Sequence, residues 1–469
     1  MSKNLRLTFI DLGKAVLLLL ALTPCAWSRV FVQWSTRELP SKSSLGVSDL
    51  VFFWKSGISP QLAAAREQGY RVYLQTTMQS AKDAAEDAAK AGCTGIMLKV
   101  PDSQSKQAAD EIARLQPAYP KLKFLTLNPD AKVPNMRGSL IVMHDSVLEV
   151  SSPTAQPWID SNLALVKVEQ RAHEGQVPLY TFPWSDRTNL TATDYSLAVA
   201  EAGAFHAHFV LQLDEHLQQA LNAHDASAWA LWNQVRSMMN FSADGAAQAL
   251  APAANVAVIL DQLDASDEVL NLLSRHNIPS QVFLAGDLGR EELDSFNILI
   301  VFAKPGREGQ QRITDLATHG ATVVIVNAHD QFPWQGAQRV QLNEHTISYA
   351  MGSGKILELS EPVTDPETFA QDIRRLMGKR NSLLSLWNGL TTIAVPYRQH
   401  DGTLSLVELV NYSAEPVRVQ LQVKGQFKSV RYESPEDGCC KTLTSTEHDG
   451  FTEFVIPDLF IAGRVHLQR

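Results

Sequence analysis

Asp102, Asp130, Asp145, Asp186 and the pair Asp214-Glu215 each stand just beyond a short apolar run that reads as a β-strand. Paired carboxyl groups at such positions suit glycosidic bond cleavage. One carboxyl protonates the leaving oxygen while the other attacks the sugar or activates water, at separations of ~5 Å or ~6.5–9.5 Å. Three other runs end in tryptophan: Val30-Phe31-Val32-Gln33-Trp34, Leu50-Val51-Phe52-Phe53-Trp54 and Leu179-Tyr180-Thr181-Phe182-Pro183-Trp184. An indole offers a flat apolar plate with one N–H donor, and the C–H face of a sugar ring can lie on such a plate. Lys99, Asn128 and His144 share the same strand ends and could bind hydroxyls. Each residue also has a plainer role, the tryptophans as packing and the aspartates as solvated loop residues.

Positioning these groups requires strands that all point one way. Further apolar runs lie at Val72-Tyr73-Leu74-Gln75-Thr76, Gly95-Ile96-Met97-Leu98-Lys99, Lys123-Phe124-Leu125-Thr126-Leu127, Ser139-Leu140-Ile141-Val142-Met143 and His208-Phe209-Val210-Leu211-Gln212-Leu213, giving eight candidates in all. Helical patterns separate them at 59–68, 80–91 and 103–115. Alternating strands and helices predict a parallel sheet covered by helices, and eight units predict a small (β/α)8-type barrel over 29–242 with ligand at the carboxyl ends of its strands. Residues 157–174 fit a helix, with Trp158, Asn162, Leu165 and Val166 on one face. The alternative is a strand at 163–169, which would make Glu169 a candidate and leave Val30–Trp34 outside the barrel.

An alanine-rich linker leads into a second α/β region at 255–378, whose apolar runs at 256–260, 281–284, 298–302 and 322–326 predict a flavodoxin-like sheet. From 380 to 469 the pattern alternates with period two, as in Val417-Arg418-Val419-Gln420-Leu421-Gln422-Val423, and Asp401-Gly402 and Asp449-Gly450 mark turns. These features predict a β-sandwich.

Several chemistries are excluded. Asp261-Gln262-Leu263-Asp264-Ala265 lacks the glycine fingerprint of a dinucleotide fold, and Gly352-Ser353-Gly354-Lys355 lacks the leading glycine and following helix of a phosphate loop. There is no serine elbow, no zinc-ligand spacing and no sign of a cofactor. His206 and His208 could ligate a metal, but core packing suits them better. The net charge of -9 argues against a nucleic-acid partner.

Residues 1–28 read as a signal peptide: Lys3, Arg6 and Lys14 precede the apolar run at 15–22, and Ala26-Trp27-Ser28 fits a cleavage site. The expected location is periplasmic or extracellular, with no membrane association after cleavage. Cys93 reads as a buried residue, whereas Cys439-Cys440 could form a vicinal ring or stay free.

The succession of barrel, flavodoxin-like region and sandwich resembles the trimeric bacterial β-galactosidases and related retaining glycosidases. Gly352-Ser353-Gly354-Lys355-Ile356-Leu357-Glu358-Leu359 with Pro362-Val363-Thr364-Asp365-Pro366 looks like the end of their amidotransferase-like middle domain. Ala303-Lys304-Pro305-Gly306 stands where an amidotransferase would place its cysteine. The resemblance implies an oligosaccharide substrate and homo-oligomerisation through the middle region. That family's Asn-Glu pair and second glutamate have no counterpart here. Lys99-Val100-Pro101-Asp102 instead resembles the Lys-x-Asp nucleophile strand of α-galactosidase-type barrels with one residue added. Those enzymes carry the acid after the sixth strand, where this chain has Asp145. Asp102 and Asp145 are therefore the expected nucleophile and acid, with Asp130 and Asp186 in reserve. The alternative is a non-catalytic carbohydrate-binding or structural protein on the same scaffold.

Overall fold

The computed structural model describes residues 29–469 except 56, 138–139, 145–146, 152–157, 174–175, 185–189 and 262–265. The side chains of 59, 102, 137, 140–144 and 147–151 are likewise outside the description.

Seven parallel strands form the barrel: β1 Val30–Gln33, β2 Asp49–Phe53, β3 Arg71–Thr76, β4 Gly95–Lys99, β5 Lys123–Leu127, and, after an excursion, β10 Leu179–Tyr180 and β11 His208–Gln212. Their order is β10-β11-β1-β2-β3-β4-β5. One parallel bridge then joins the two edges: the Asn128 amide donates to Leu179 O and the Thr181 amide donates to Asn128 O, both at 2.9 Å. The strands are apolar on both faces because each face is buried. Phe31, Val51, Tyr73, Met97, Leu127, Leu179 and Val210 fill the interior, one from each strand. Alternate residues such as Val32, Leu50, Phe52, Val72, Leu74, Ile96 and Leu98 face the surrounding helices. Gly95 is needed where β4 meets β5, since a Cβ there would lie 2.3 Å from Lys123 O.

The eighth strand expected at Ser139–Met143 is a correction. Its apolar residues form β7 Leu140–His144, which pairs antiparallel with β8 Val147–Ser151. Flanking this hairpin, β6 Asn135–Arg137 pairs with β9 Trp158–Asp160. A continuous apolar run fits a hairpin strand as well as a barrel strand, so the run alone misplaced this segment. Leu163–Ala172 is a helix, as favoured from sequence, but the helix does not start at 157: Trp158, expected on its face, lies in the strand β9.

The second sheet runs β14 (Ser280–Leu284), β13 (Val256–Leu260), β15 (Ile298–Val301), β16 (Thr322–Ile325), β19 (Gly354–Leu359), all parallel, a flavodoxin-like order. β18 Thr346–Met351 and β17 Arg339–Asn343 extend it antiparallel. Gly352 and Ser353 make the turn between β18 and β19, which accounts for the glycines of that motif. The sandwich packs a sheet ordered β12 (Ala251–Pro252), β21 (Thr392–Arg398), β22 (Leu404–Asn411), β28 (Ala462–Gln468), β24 (Ser429–Ser434), β25 (Gly438–Thr442) on a second sheet. That second sheet is ordered β20 (Leu384–Trp387), β23 (Val417–Lys424), β27 (Phe451–Leu459), β26 (Ser445–His448). Cys439 and Cys440 are joined as a disulfide on β25, and Cys93 is a free, buried thiol.

Polar contacts, several of them buried, tie the sandwich to the barrel. Arg464 on β28, 1% exposed, donates to Glu408 at 2.6 Å and to Asp244 at 3.0 Å. Glu201, on the helix Ala192–Ala204, accepts from Tyr412 Oη at 2.6 Å and from Asn162 Nδ2 at 2.7 Å. Burial pushes the Glu201 carboxyl up to about 7, against the opposing pull of these donors.

Candidate functional site at the barrel mouth

Side chains alternate along a strand, so the residue two places beyond each interior side chain marks the mouth. Phe31 and Tyr73 meet edge to face inside the barrel, ring centroids 5.2 Å apart. Gln33 and Gln75 follow them on the same side. Val51 leads to Phe53, Met97 to Lys99, Leu179 to Thr181 and Val210 to Gln212. With Pro129 beyond Leu127, the mouth is thus a ring of three carboxamides, one hydroxyl, one ammonium, one phenyl group and one proline.

Part of this ring is locked. Gln212 Nε2 donates to Thr181 Oγ1 at 3.0 Å, and that hydroxyl donates to Val210 O at 2.9 Å. Part is not. The side-chain oxygens of Gln33 and Gln75 are buried and accept no hydrogen bond from the described residues. An unmatched buried acceptor costs about 1–3 kcal/mol, which a ligand hydroxyl would recover. Lys99 is exposed, and Phe53, 47% exposed, turns an apolar ring to the opening. The opposite end of the barrel is shut by Arg71, which donates to both Asp49 oxygens at 2.7 and 2.5 Å. There His208 Nδ1 accepts from the Arg29 amide at 3.0 Å. Burial, with a smaller contribution from Arg29, lowers the His208 imidazole to about 4 and keeps it neutral.

The expected site residues divide sharply. Trp34 is 1% exposed, packs among the outer helices, and its indole N–H donates to Glu38 O at 2.8 Å, so it offers no face to a sugar. Trp54 is half-buried on the same outer side and donates to Asp87 at 3.0 Å. Trp184 packs edge-on to Phe182 and Tyr195 and donates to Gln212 O at 3.0 Å. Asn128 turns out of the barrel: its Nδ2 donates to Glu169 Oε1 at 2.8 Å, and its Oδ1 accepts the Asp130 amide at 2.8 Å. It is therefore a seam residue, and Asp130 is exposed beside it. Asp102 begins a short 3-10 turn after β4, and His144 ends β7, the hairpin strand. Asp145 and Asp186 lie outside the described residues. Asp214 caps the helix Glu215–Asn222 and accepts from Tyr195 Oη at 2.7 Å, a structural role. His206 stacks on Tyr397 at 3.9 Å, which makes it a packing residue.

Sequence reasoning missed Gln33, Gln75, Thr181, Gln212 and Phe53. The available signal, at Gln33 and Phe53, was their phase: each stands one residue before an assigned tryptophan. Two apolar faces hide which phase points inward.

No family profile matches the chain, and a search of curated proteins found no significant relative. Solved structures do match. The α-L-fucosidase isoenzyme 2 from Paenibacillus thiaminolyticus superposes with a TM-score of 0.58 at 12% identity, covering 94% of this chain and 99% of the fucosidase. A rhamnosidase from Novosphingobium sp. PP1Y gives 0.47 at 12% identity over 83% of this chain and 38% of its own. A β-galactosidase from Bacillus circulans sp. alkalophilus gives 0.41 at 11% identity over 87% and 66%. The chain has a glycoside-hydrolase-like architecture, an α/β barrel carried with β-sheet domains.

Proposed function

We propose that the protein binds an oligosaccharide at the carboxyl-terminal mouth of its barrel. The observation that carries this reading is the pair of buried, unmatched carboxamide oxygens on Gln33 and Gln75, set in a ring with Lys99, Thr181, Gln212 and the open face of Phe53. Carboxamides donate and accept, as sugar hydroxyls do, and Phe53 supplies the apolar plate expected of the tryptophans. The N-terminal segment supports export to the periplasm or beyond, where such a ligand would be met.

Hydrolysis is the second reading, favoured by the glycosidase-like architecture and by Asp102 directly after β4. Asp145 is its proposed partner. A panel of aryl glycosides and oligosaccharides tests both readings with the purified protein, its Gln33→Ala, Gln75→Ala form and an Asp102→Asn, Asp145→Asn form. Binding without turnover, weakened by the glutamine changes, supports recognition alone. Turnover abolished in the aspartate form establishes the enzyme. If no saccharide binds or reacts, the proposal is wrong.

A further inference from the structure

A second surface has the marks of a ligand site and lies far from the barrel interior in the fold. The outer face of the four-stranded sheet follows from its register. Leu384, Leu421, Val423, Phe454 and Ile456 enter the sandwich core. Their neighbours Ser385, Trp387, Gln420, Gln422, Lys424, Phe451 and Glu453 therefore face out, and Ser385 pairs with Gln422 and Lys424 with Phe451. Trp387 is 43% exposed. Its indole leaves an apolar plate open on an otherwise polar sheet face.

Beside this face the helix Pro366–Asn381 breaks at Gly378, where φ is 66°, and swings Lys379 and Arg380 towards the sheet. Helix and sheet enclose a groove of about 920 Å³. Arg374, Lys379, Arg380 and Lys424 line it together with Trp387 and Phe451. Among the described residues, Lys379, Arg380 and Lys424 meet no carboxylate. The one acid in the lining, Asp449, lies 3.2 Å from the His448 imidazole. Glu453, next along the face, accepts from Gln420. A cluster of unmatched cations stands out in a chain of net charge -9.

We infer that this groove binds an acidic oligosaccharide, a chain of uronic acid units, with Trp387 stacked on a sugar ring and Lys379, Arg380 and Lys424 meeting its carboxylates. The amides and hydroxyl of Gln422 and Ser385 suit sugar hydroxyls between those points. A polyphosphate would use the cations but would leave the exposed Trp387 indole without a partner. The site is separate from the barrel mouth and stands or falls without it.

The test is calorimetric titration of the full-length protein with oligogalacturonate, beside a neutral cello-oligosaccharide and duplex DNA. Trp387→Ala and the double change Lys379→Glu, Arg380→Glu should each weaken oligogalacturonate binding about tenfold or more, with melting temperature unchanged because all three residues are exposed. Gln33→Ala should leave it unaltered, which separates this site from the mouth. Absence of oligogalacturonate binding overturns the inference. So does binding that survives either groove variant, or that DNA matches.

Discussion

The barrel mouth and the outer groove of the sandwich each set an exposed aromatic ring beside amide groups, yet they differ in charge and in depth. At the mouth the polar groups are mostly neutral, and two of them are buried and unmatched. In the groove the polar groups are cations that water already solvates. The first arrangement selects by hydrogen-bond geometry, since a buried amide punishes any ligand that fails to match it. The second selects by sign, over a longer distance and with less shape discrimination. On the two proposals, one chain would hold a neutral sugar and an acidic one at separate surfaces.

The largest effect is expected where both surfaces depend on a shared frame. Arg464→Ala leaves Glu408 buried without its cation, and losing one partner of a buried pair costs about 3–5 kcal/mol. Both binding activities should fall together with the melting temperature. If only the groove responds, the sandwich is not coupled to the barrel as the contacts imply.

Next in size is a pH effect centred on Glu201. Its carboxyl, with a folded value of about 7, lies above the ordinary 4.5, so between those values the folded state holds a proton that the unfolded state has released. Stability from this group must therefore fall as pH rises from about 4.5 to 7, by about 3 kcal/mol, and level off above. Glu201→Gln should flatten that slope in urea titrations at pH 5 and pH 8. An unchanged slope would assign it elsewhere. Lys167 acts in the opposite sense. Its ammonium is pushed down to about 7 by burial between the barrel and Ser280 of the second sheet, so its share of stability rises with pH from 7 towards 10.5.

Smaller effects divide the two sites directly. Changing both Gln33 and Gln75 to alanine should weaken a mouth ligand about thirtyfold, at about 1 kcal/mol for each of two hydrogen bonds lost, and leave groove binding alone. Raising salt from 50 to 500 mM should weaken groove binding several-fold while moving mouth binding by less than about twofold. Equal salt sensitivity at the two sites would erase the contrast. Phe53→Ala, the mildest change, should cost the mouth ligand about 1 kcal/mol of apolar contact with little loss of stability.

Most of the fold was legible because parallel strands buried on both faces leave long apolar runs and the intervening helices carry clear breaks, such as Gly92 after Ala81–Ala91. The site was less legible for the same reason. In β1 both Val32 and Phe31 are apolar, so nothing local says that Gln33 faces the lumen and Trp34 the helices. Phase is settled only by contacts across the barrel, such as Phe31 with Tyr73. The hairpin at Leu140–His144 was misplaced because its partner, Val147–Ser151, could not be weighed against a barrel neighbour from an apolar run alone.

The single bridge that joins Asn128 to Tyr180 has a further consequence. Every other pair of neighbouring barrel strands is held by two or more rungs, whereas this junction has one. The barrel is a split ring with a clasp. The long excursion between β5 and β10 enters and leaves at that clasp, so its length and sequence can change in evolution without shifting the register of any other strand. Deuterium should reach the Asn128 and Thr181 amides before it reaches those of β2 or β3, and an inserted or circularly permuted chain would be best tolerated there.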